Sequence, residues 1–162
     1  MKSLQDAFEH GLKDIYYAEN ALLKAMPMMA QKAESQELRA AIEQHQQETQ
    51  QQVKLLEQVF QKMGKEAKGE RCDGVEGLIA ENQKVMSEAQ APALDAVILA
   101  GAQANEHYEI TRYGTLIAWA KELGMSEAEQ TLTQILQQEK QTDEKLTRIA
   151  ESMVNQRAQN AA

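Results

Sequence analysis

From Ala93 to Leu123, small and apolar residues recur at Ile98, Ala102, Leu116 and Ala120. That is the three-and-four spacing of a helix with one buried stripe. Continued through its middle, the stripe passes through Glu106, Glu109 and Tyr113. A carboxylate on the dry side of a helix is costly unless it neutralises, finds a partner or binds a metal. Whatever packs against this helix must therefore supply a partner, and that requirement narrows the possible folds more than any other feature of the chain.

Three other stretches show the same conflict. Ser3, with Asp6 three positions on, predicts a helix start, and Leu4, Phe8, Leu12, Ile15, Leu22, Met26 and Met29 follow as its stripe, with Glu19 on it. Pro27 falls near the end of this helix, where a kink or a loosened turn is expected. A second helix is predicted from Ser35 to Met63, with Leu38, Ile42, Val53, Leu56, Val59 and Phe60 facing inward and His45 and Glu48 at the middle of that face. Gly64 to Gly74 reads as a connection. Gly74 to Glu88 reads as a short crossover helix, and Pro92 falls in the first turn of the helix that contains Glu106. Leu123-Gly124 closes that helix, and Ser126 with Glu129 predicts a capping box opening the last one. Its stripe, Leu132, Ile135, Leu136, Leu146, Ile149 and Met153, is broken by Glu139 and Asp143.

The expected fold is all-α: a four-helix bundle with a long crossover between its second and third helices that carries a short extra helix. Residues 1–156 form one domain, and 157–162 form a frayed tail. In an antiparallel hairpin, residues equidistant from the turn are level. Glu19 and Glu48 are centred between Ala33 and Glu34, and Glu106 and Glu139 between Glu122 and Leu123, both in predicted turns. Each pair lies roughly 21–25 Å from its turn at about 1.5 Å per residue. A long crossover lets both pairs meet at one depth of the bundle.

The candidate ligands are then Glu19, His45, Glu48, Glu106 and Glu139, with Glu109 and Asp143 on the next turn. Oxygen donors with one imidazole suit iron or manganese, and two bridging plus two terminal carboxylates suit a pair of ions. Taken singly, each residue has a plainer explanation: a flank glutamate reaching for solvent, or a hydrogen-bonded core histidine. His10 and His107 fall off the stripes and are expected at the surface. Tyr16, Tyr108 and Tyr113 are expected to pack, with one of them open to a supporting role near the site. Cys72, the one cysteine, lies in the connection and is expected to be neither ligand nor nucleophile; alone it excludes a disulfide framework and Cys-based metal motifs. The formal charge of −8 leaves no basic face for nucleic acid. No apolar run reaches membrane-spanning length and no signal peptide is visible, so a cytoplasmic location is expected.

Tyr17-Ala-Glu19, His45-x-x-Glu48-Thr49, Glu106-His-Tyr-Glu109-Ile with Tyr113-Gly-Thr115, Glu139-Lys-x-Thr-Asp143 with Lys145-Leu-Thr147, and Glu76-Gly-Leu-Ile79 occur together along nearly the whole chain. In these segments it resembles the YciF-type bacterial stress proteins of the ferritin-like superfamily. The resemblance implies a homodimeric ferritin-like bundle with a rubrerythrin-like dinuclear site, and it matches Glu19, Glu48, Glu106 and Glu139 to the four superfamily glutamates. The superfamily's Glu-x-x-His signature is replaced: Gln51 follows Glu48 at plus three and Thr142 follows Glu139. A ligand set with one histidine or none favours harder, more oxidised iron or manganese.

The function expected is that of a stress-associated protein with a carboxylate-bridged pair of iron ions, alternatively two manganese ions. It would react with peroxide or oxygen as a peroxidase, a ferroxidase or a catalase-like enzyme; any electron donor is unidentified. The alternative is a helical scaffold that binds a partner protein under stress and carries a structural or vestigial metal.

Overall fold

The computed structural model describes residues 1–160. Helix α1 spans Leu4–Lys32, α2 Gln36–Lys62, α3 Asp73–Glu88, α4 Ala93–Glu122 and α5 Ser126–Ile149. A π-helical turn, Ala150–Val154, then leads into a short helix α6, Asn155–Gln159. The expected fraying from 157 on thus gives way to helix as far as Gln159, and Ala161 and Ala162 lie outside the described residues.

Helix α1 starts as its sequence predicts. The Ser3 hydroxyl accepts from the Asp6 N–H, and the Asp6 carboxylate accepts from the Ser3 N–H. Helix continues through Pro27 to Lys32. Ser35 caps α2 by accepting from the Leu38 N–H. The capping box expected at Ser126 is absent: Met125 precedes the first helical residue and Ser126 is already inside α5. The reason lies in the preceding turn. Gly124, at φ +69°, donates to the Lys121 carbonyl, while the Met125 N–H reaches back to Ala120. This six-to-one closure ends α4 so tightly that α5 begins without a side-chain cap. Gly64, at φ +67°, ends α2 in the same way, with the Lys65 N–H on the Phe60 carbonyl.

Around the bundle, α1 packs on α2, α2 on α5, α5 on α4 and α4 on α1, with α3 laid over α1 and α4. Strand-free packing of this kind matches the expected all-α bundle with a crossover helix. Asp95, at the start of α4, accepts from the backbone N–H groups of Glu34 and Ser35 in the α1–α2 turn, each at 2.8 Å. At the other end of the bundle, Lys62 of α2 pairs with Glu127 of α5 at 2.9 Å. The chain leaving α2 must therefore travel the length of the bundle before α4 begins. That traverse makes α4 antiparallel to α1 and brings the middles of all four long helices to one depth.

Cys72 is buried rather than loose in the connection. It caps α3, and its Sγ lies 2.9 Å from the Tyr108 hydroxyl on α4. Tyr108 donates in turn to Asp14 on α1 at 3.0 Å. Further along, a Cβ on Gly101 would meet the Asn82 side chain at 2.1 Å, so only glycine lets α3 settle this closely on α4.

Asp95 holds two backbone donors that no other group in the turn satisfies. Asp95→Ala is expected to lower unfolding free energy by about 2–3 kcal/mol, the range for charge-assisted bonds lost from a buried turn. Asp95→Asn should lose less. Urea denaturation of the three proteins measures this, and equal midpoints would show that the turn is held elsewhere.

Candidate metal centre

At mid-bundle, one ligand atom from each of His45, Glu106, Glu109 and Glu139 lies within 4.8 Å of all the others. All four residues are buried. His45 comes from α2, reaching across to place Nε2 3.0 Å from Glu106 Oε1 on α4. Glu109 follows one turn later on α4, and Glu139 faces them from α5. Glu19, on α1, is also fully buried and accepts a hydrogen bond from the Tyr113 hydroxyl.

The helices place these groups because their stripes have no other inward face. Phe8, Leu12 and Ile15 bury α1 below Glu19, and Leu22 buries it above. On α5, Leu132, Ile135 and Leu146 lock the register of Glu139 in the same way. Apolar burial fixes each carboxylate's depth, and the carboxylates meet because the depths agree.

Three expected ligands stand outside the tight cluster: Glu19, buried beside it on α1, and Glu48 and Asp143 at its edges. Glu48 is only half-buried and accepts from Gln44 at 2.8 Å and, weakly, from Thr142 at 3.5 Å. Asp143 accepts from Gln103 at 3.0 Å and pairs with exposed His107 at 3.2 Å. His10 is likewise at the surface, facing Glu70. Two groups went unnoticed in the sequence. Gln52, fully buried on α2, lies beside Glu139 and donates to Gln138 at 3.2 Å. Asn105, next to Glu106, is buried with its Oδ1 unpartnered. Both sit on inward faces where an apolar residue is the default, the same signal that marks His45.

The electrostatics are severe. Burial, reinforced by the Glu139 charge, pushes the Glu19 carboxyl from an ordinary 4.5 up to about 8, against the pull of Tyr113 and His45. Burial likewise lifts Glu106 to about 8. Glu109 is raised well above the usual range by burial and by Glu19, Glu139 and Glu106, and Glu139 by burial and Glu106. Tyr113 is raised too, by burial and then Glu19, so its phenol keeps its proton.

Does a cation fit? Both oxygens of Glu109, both of Glu139, one each of Glu19 and Glu106, and Nδ1 of His45 are buried without a hydrogen-bond partner. Buried acceptors are ordinarily satisfied. A divalent ion satisfies hard oxygen acceptors and an imidazole at once, so the donor set fits a metal.

The fold and site together define a crossover-linked four-helix bundle with a buried carboxylate–imidazole cluster able to hold a metal ion. The chain belongs to the family described as a domain of unknown function, DUF892, whose model it matches over residues 3–159. It is 38% identical to protein YciF of Escherichia coli (strain K12) over 164 aligned positions, covering 100% of this chain and 99% of that protein. Among solved structures it is similar to the E. coli stress protein YciF, with a TM-score of 0.90 and 37% identity over 96% of this chain and 99% of that one. YcfI of Rhodopseudomonas palustris superposes with a TM-score of 0.89 at 46% identity, over 90% of this chain and 94% of that one. A Xanthomonas campestris protein superposes at 0.73 with 26% identity, over 94% of each chain. No helix among the described residues is long and apolar enough to cross a membrane.

The raised carboxyl values set a pH dependence for the metal-free protein. Between about pH 5 and pH 8 the native state holds protons that the unfolded chain has released, so stability falls as pH rises. Each such carboxyl contributes up to about 1.4 kcal/mol per pH unit in that window. Metal-free protein is therefore expected to melt higher at pH 5.5 than at pH 8, as read by calorimetry. A flat profile would show that the cluster is already neutralised by other groups.

Proposed function

We propose that this protein holds two iron ions, or alternatively two manganese ions, in a ferritin-like site and reacts with peroxide or oxygen during stress. The observation that carries this reading is the set of buried acceptor atoms on Glu19, His45, Glu106, Glu109 and Glu139 that have no partner. Bound there, the metal supplies the redox chemistry and the Lewis acidity.

The chain's own residues have separable tasks in this reading. Glu106, Glu109, Glu139 and His45 hold the charge at the bundle axis. Glu19 adds a carboxylate from the α1 side, fixed by the Tyr113 hydroxyl, which stays protonated at that atom. Glu48 and Asp143, at the half-buried α2–α5 and α4–α5 edges, complete the set of candidate ligands. Thr142, Gln44, Gln103 and His107 orient those two. The apolar residues above and below exclude bulk water.

The E. coli relative is described as a stress protein, and on that basis we propose a stress-response role for this chain; a cytoplasmic location and a homodimeric state are proposals that rest on the sequence alone. A second reading, a scaffold that docks a partner protein, has in its favour the description of the R. palustris relative as a candidate structural protein.

Glu139→Gln is expected to abolish stoichiometric iron and manganese binding while leaving helical content intact, because the apolar stripes hold the bundle. The same substitution should raise the melting temperature of metal-free protein at pH 8, since a buried carboxyl that must hold a proton the unfolded chain has released is replaced by a neutral amide. Elemental analysis, circular dichroism and calorimetry read the three quantities. Undiminished binding of two ions by Glu139→Gln protein would refute the site, and a wild-type protein that takes up no metal would favour the scaffold.

A further inference from the structure

A small cavity adjoins the cluster on the side of the α1–α2 turn. It leaves about 20 Å³ in which a water centre can sit, and His45, Asn105 and Glu106 form its polar wall, facing Met26, Met29 and Ile42. A second cavity, of about 10 Å³, lies between α1, α3 and α4. Its outer wall includes exposed Gln83 and half-buried Ala25, and its inner wall is Asn82, Met86, Met29 and Asn105. The two cavities share Met29 and Asn105 as a common wall. The residues lining the two cavities therefore run from exposed Gln83 beside α3 to His45 and Glu106, with Met29 and Asn105 as the partition between them.

Each cavity has room for about one water-sized molecule. Asn82 and Asn105 each carry a buried Oδ1 without a donor, as Glu106 does at Oε2. The buried side-chain atoms along the path that lack a partner are Asn82 Oδ1, Asn105 Oδ1, Glu106 Oε2 and His45 Nδ1, and the rest of the wall is mainly aliphatic or thioether, with Thr142 at its inner end and Gln83 at its outer. Such a path favours a small, uncharged molecule with its own O–H donors. Dioxygen has no donor to offer, and a hydrated cation is too large and loses its water to apolar walls.

We propose that these cavities are the route by which hydrogen peroxide reaches the carboxylate cluster, with Asn82 and Asn105 as its successive hydrogen-bonding stations. The proposal rests on the peroxide arm of the function proposed above and selects peroxide over oxygen as the oxidant.

The route can be tested without metal, because the described methionines that are fully buried, Met26, Met29 and Met86, all line it. Peroxide transfers one oxygen to a thioether sulfur as its O–O bond breaks; the sulfur loses two electrons and the other oxygen leaves as water. In metal-free protein, Met29 and Met26 should be converted to sulfoxide by hydrogen peroxide at rates within a few-fold of half-buried Met63 and Met125. With the bulkier tert-butyl hydroperoxide they should lag behind those two on the order of tenfold. Ala25→Leu, which narrows the outer cavity, should slow peroxide conversion of Met29 by about tenfold with unchanged circular dichroism. Asn82→Leu, which removes an acceptor at similar volume, should act in the same direction. Peptide mass spectrometry reads every methionine separately.

Equal attack by both oxidants would mean that Met29 is reached by unfolding rather than through the cavities. Full peroxide rates in both variants, or a Met29 inert to both oxidants, would also overturn the route. Because the measurement uses metal-free protein, it stands or falls apart from metal binding. A route that passes this test in a protein that takes up no iron or manganese would leave the route intact and remove its proposed destination.

Discussion

Four glutamates buried within two adjacent turns at mid-bundle, with one imidazole among them, set the terms for everything else in this structure. In a low-dielectric interior such carboxyls resist ionisation and, without a cation, hold protons that the unfolded chain releases at neutral pH. The bundle can form around such a cluster only if the helices are held in register by interactions that outweigh this cost. They are held at both ends. Glycines in the left-handed region close α2 and α4 with carbonyls that would otherwise be orphaned. Asp95 fastens the start of α4 to the α1–α2 turn. Between those ends the apolar stripes, from Phe8 and Leu12 on α1 to Leu132 and Ile135 on α5, leave each helix one inward face.

Much of this was legible in the sequence, because a carboxylate interrupting a helical stripe is a local contradiction that only tertiary structure can resolve. Equal distance from the turns brought Glu106 and Glu139 to one level, and Glu19 to the α1 side of the same layer. The reasoning lost accuracy where it ignored rotation around the helix. His45 and Glu48 are three residues apart, about 60° short of a full circle at 3.6 residues per turn. When His45 faces the axis, Glu48 is turned toward α5 and Thr142. Asp143, four residues after Glu139, overshoots by about 40° and faces Gln103 and His107. Level and direction are separate constraints, and spacing from a turn determines only the first. Cys72 illustrates a different gap. Nothing in a glycine-rich stretch announces that its cysteine will cap a helix and meet Tyr108, because that contact depends on where the crossover lies across α1 and α4.

The crossover also makes the two sides of the site unlike. Where α3 covers α1 and α4, the cluster is backed by Met29, Met86 and the amides Asn82 and Asn105, a wall of thioethers and unmet acceptors. At the α2–α5 and α4–α5 edges it is bordered by Gln44, Glu48, Thr142, Gln103 and Asp143, which hydrogen-bond one another at the surface. One side is dry and narrow, the other polar and half-open. A pair of hairpins joined by a short loop would leave both sides alike, so the asymmetry is a product of the long connection.

Asp95 and Glu109 show how differently one bundle treats a buried carboxylate. Asp95 receives two backbone N–H groups at 2.8 Å and ties two hairpins together; its structural value accounts for its presence. Glu109 receives no donor at either oxygen and lies among Glu19, Glu106 and Glu139, all of which raise its pKa. Replacing buried ionic groups by apolar ones of similar volume is often neutral or stabilising, so a bundle needing only to hold its shape has no use for this glutamate. A scaffold requires carboxylates of the first kind and is weakened by those of the second. The cluster's cost to the metal-free fold is therefore an argument for a ligand that removes it, and acceptor oxygens outnumbering a single imidazole would suit a hard cation.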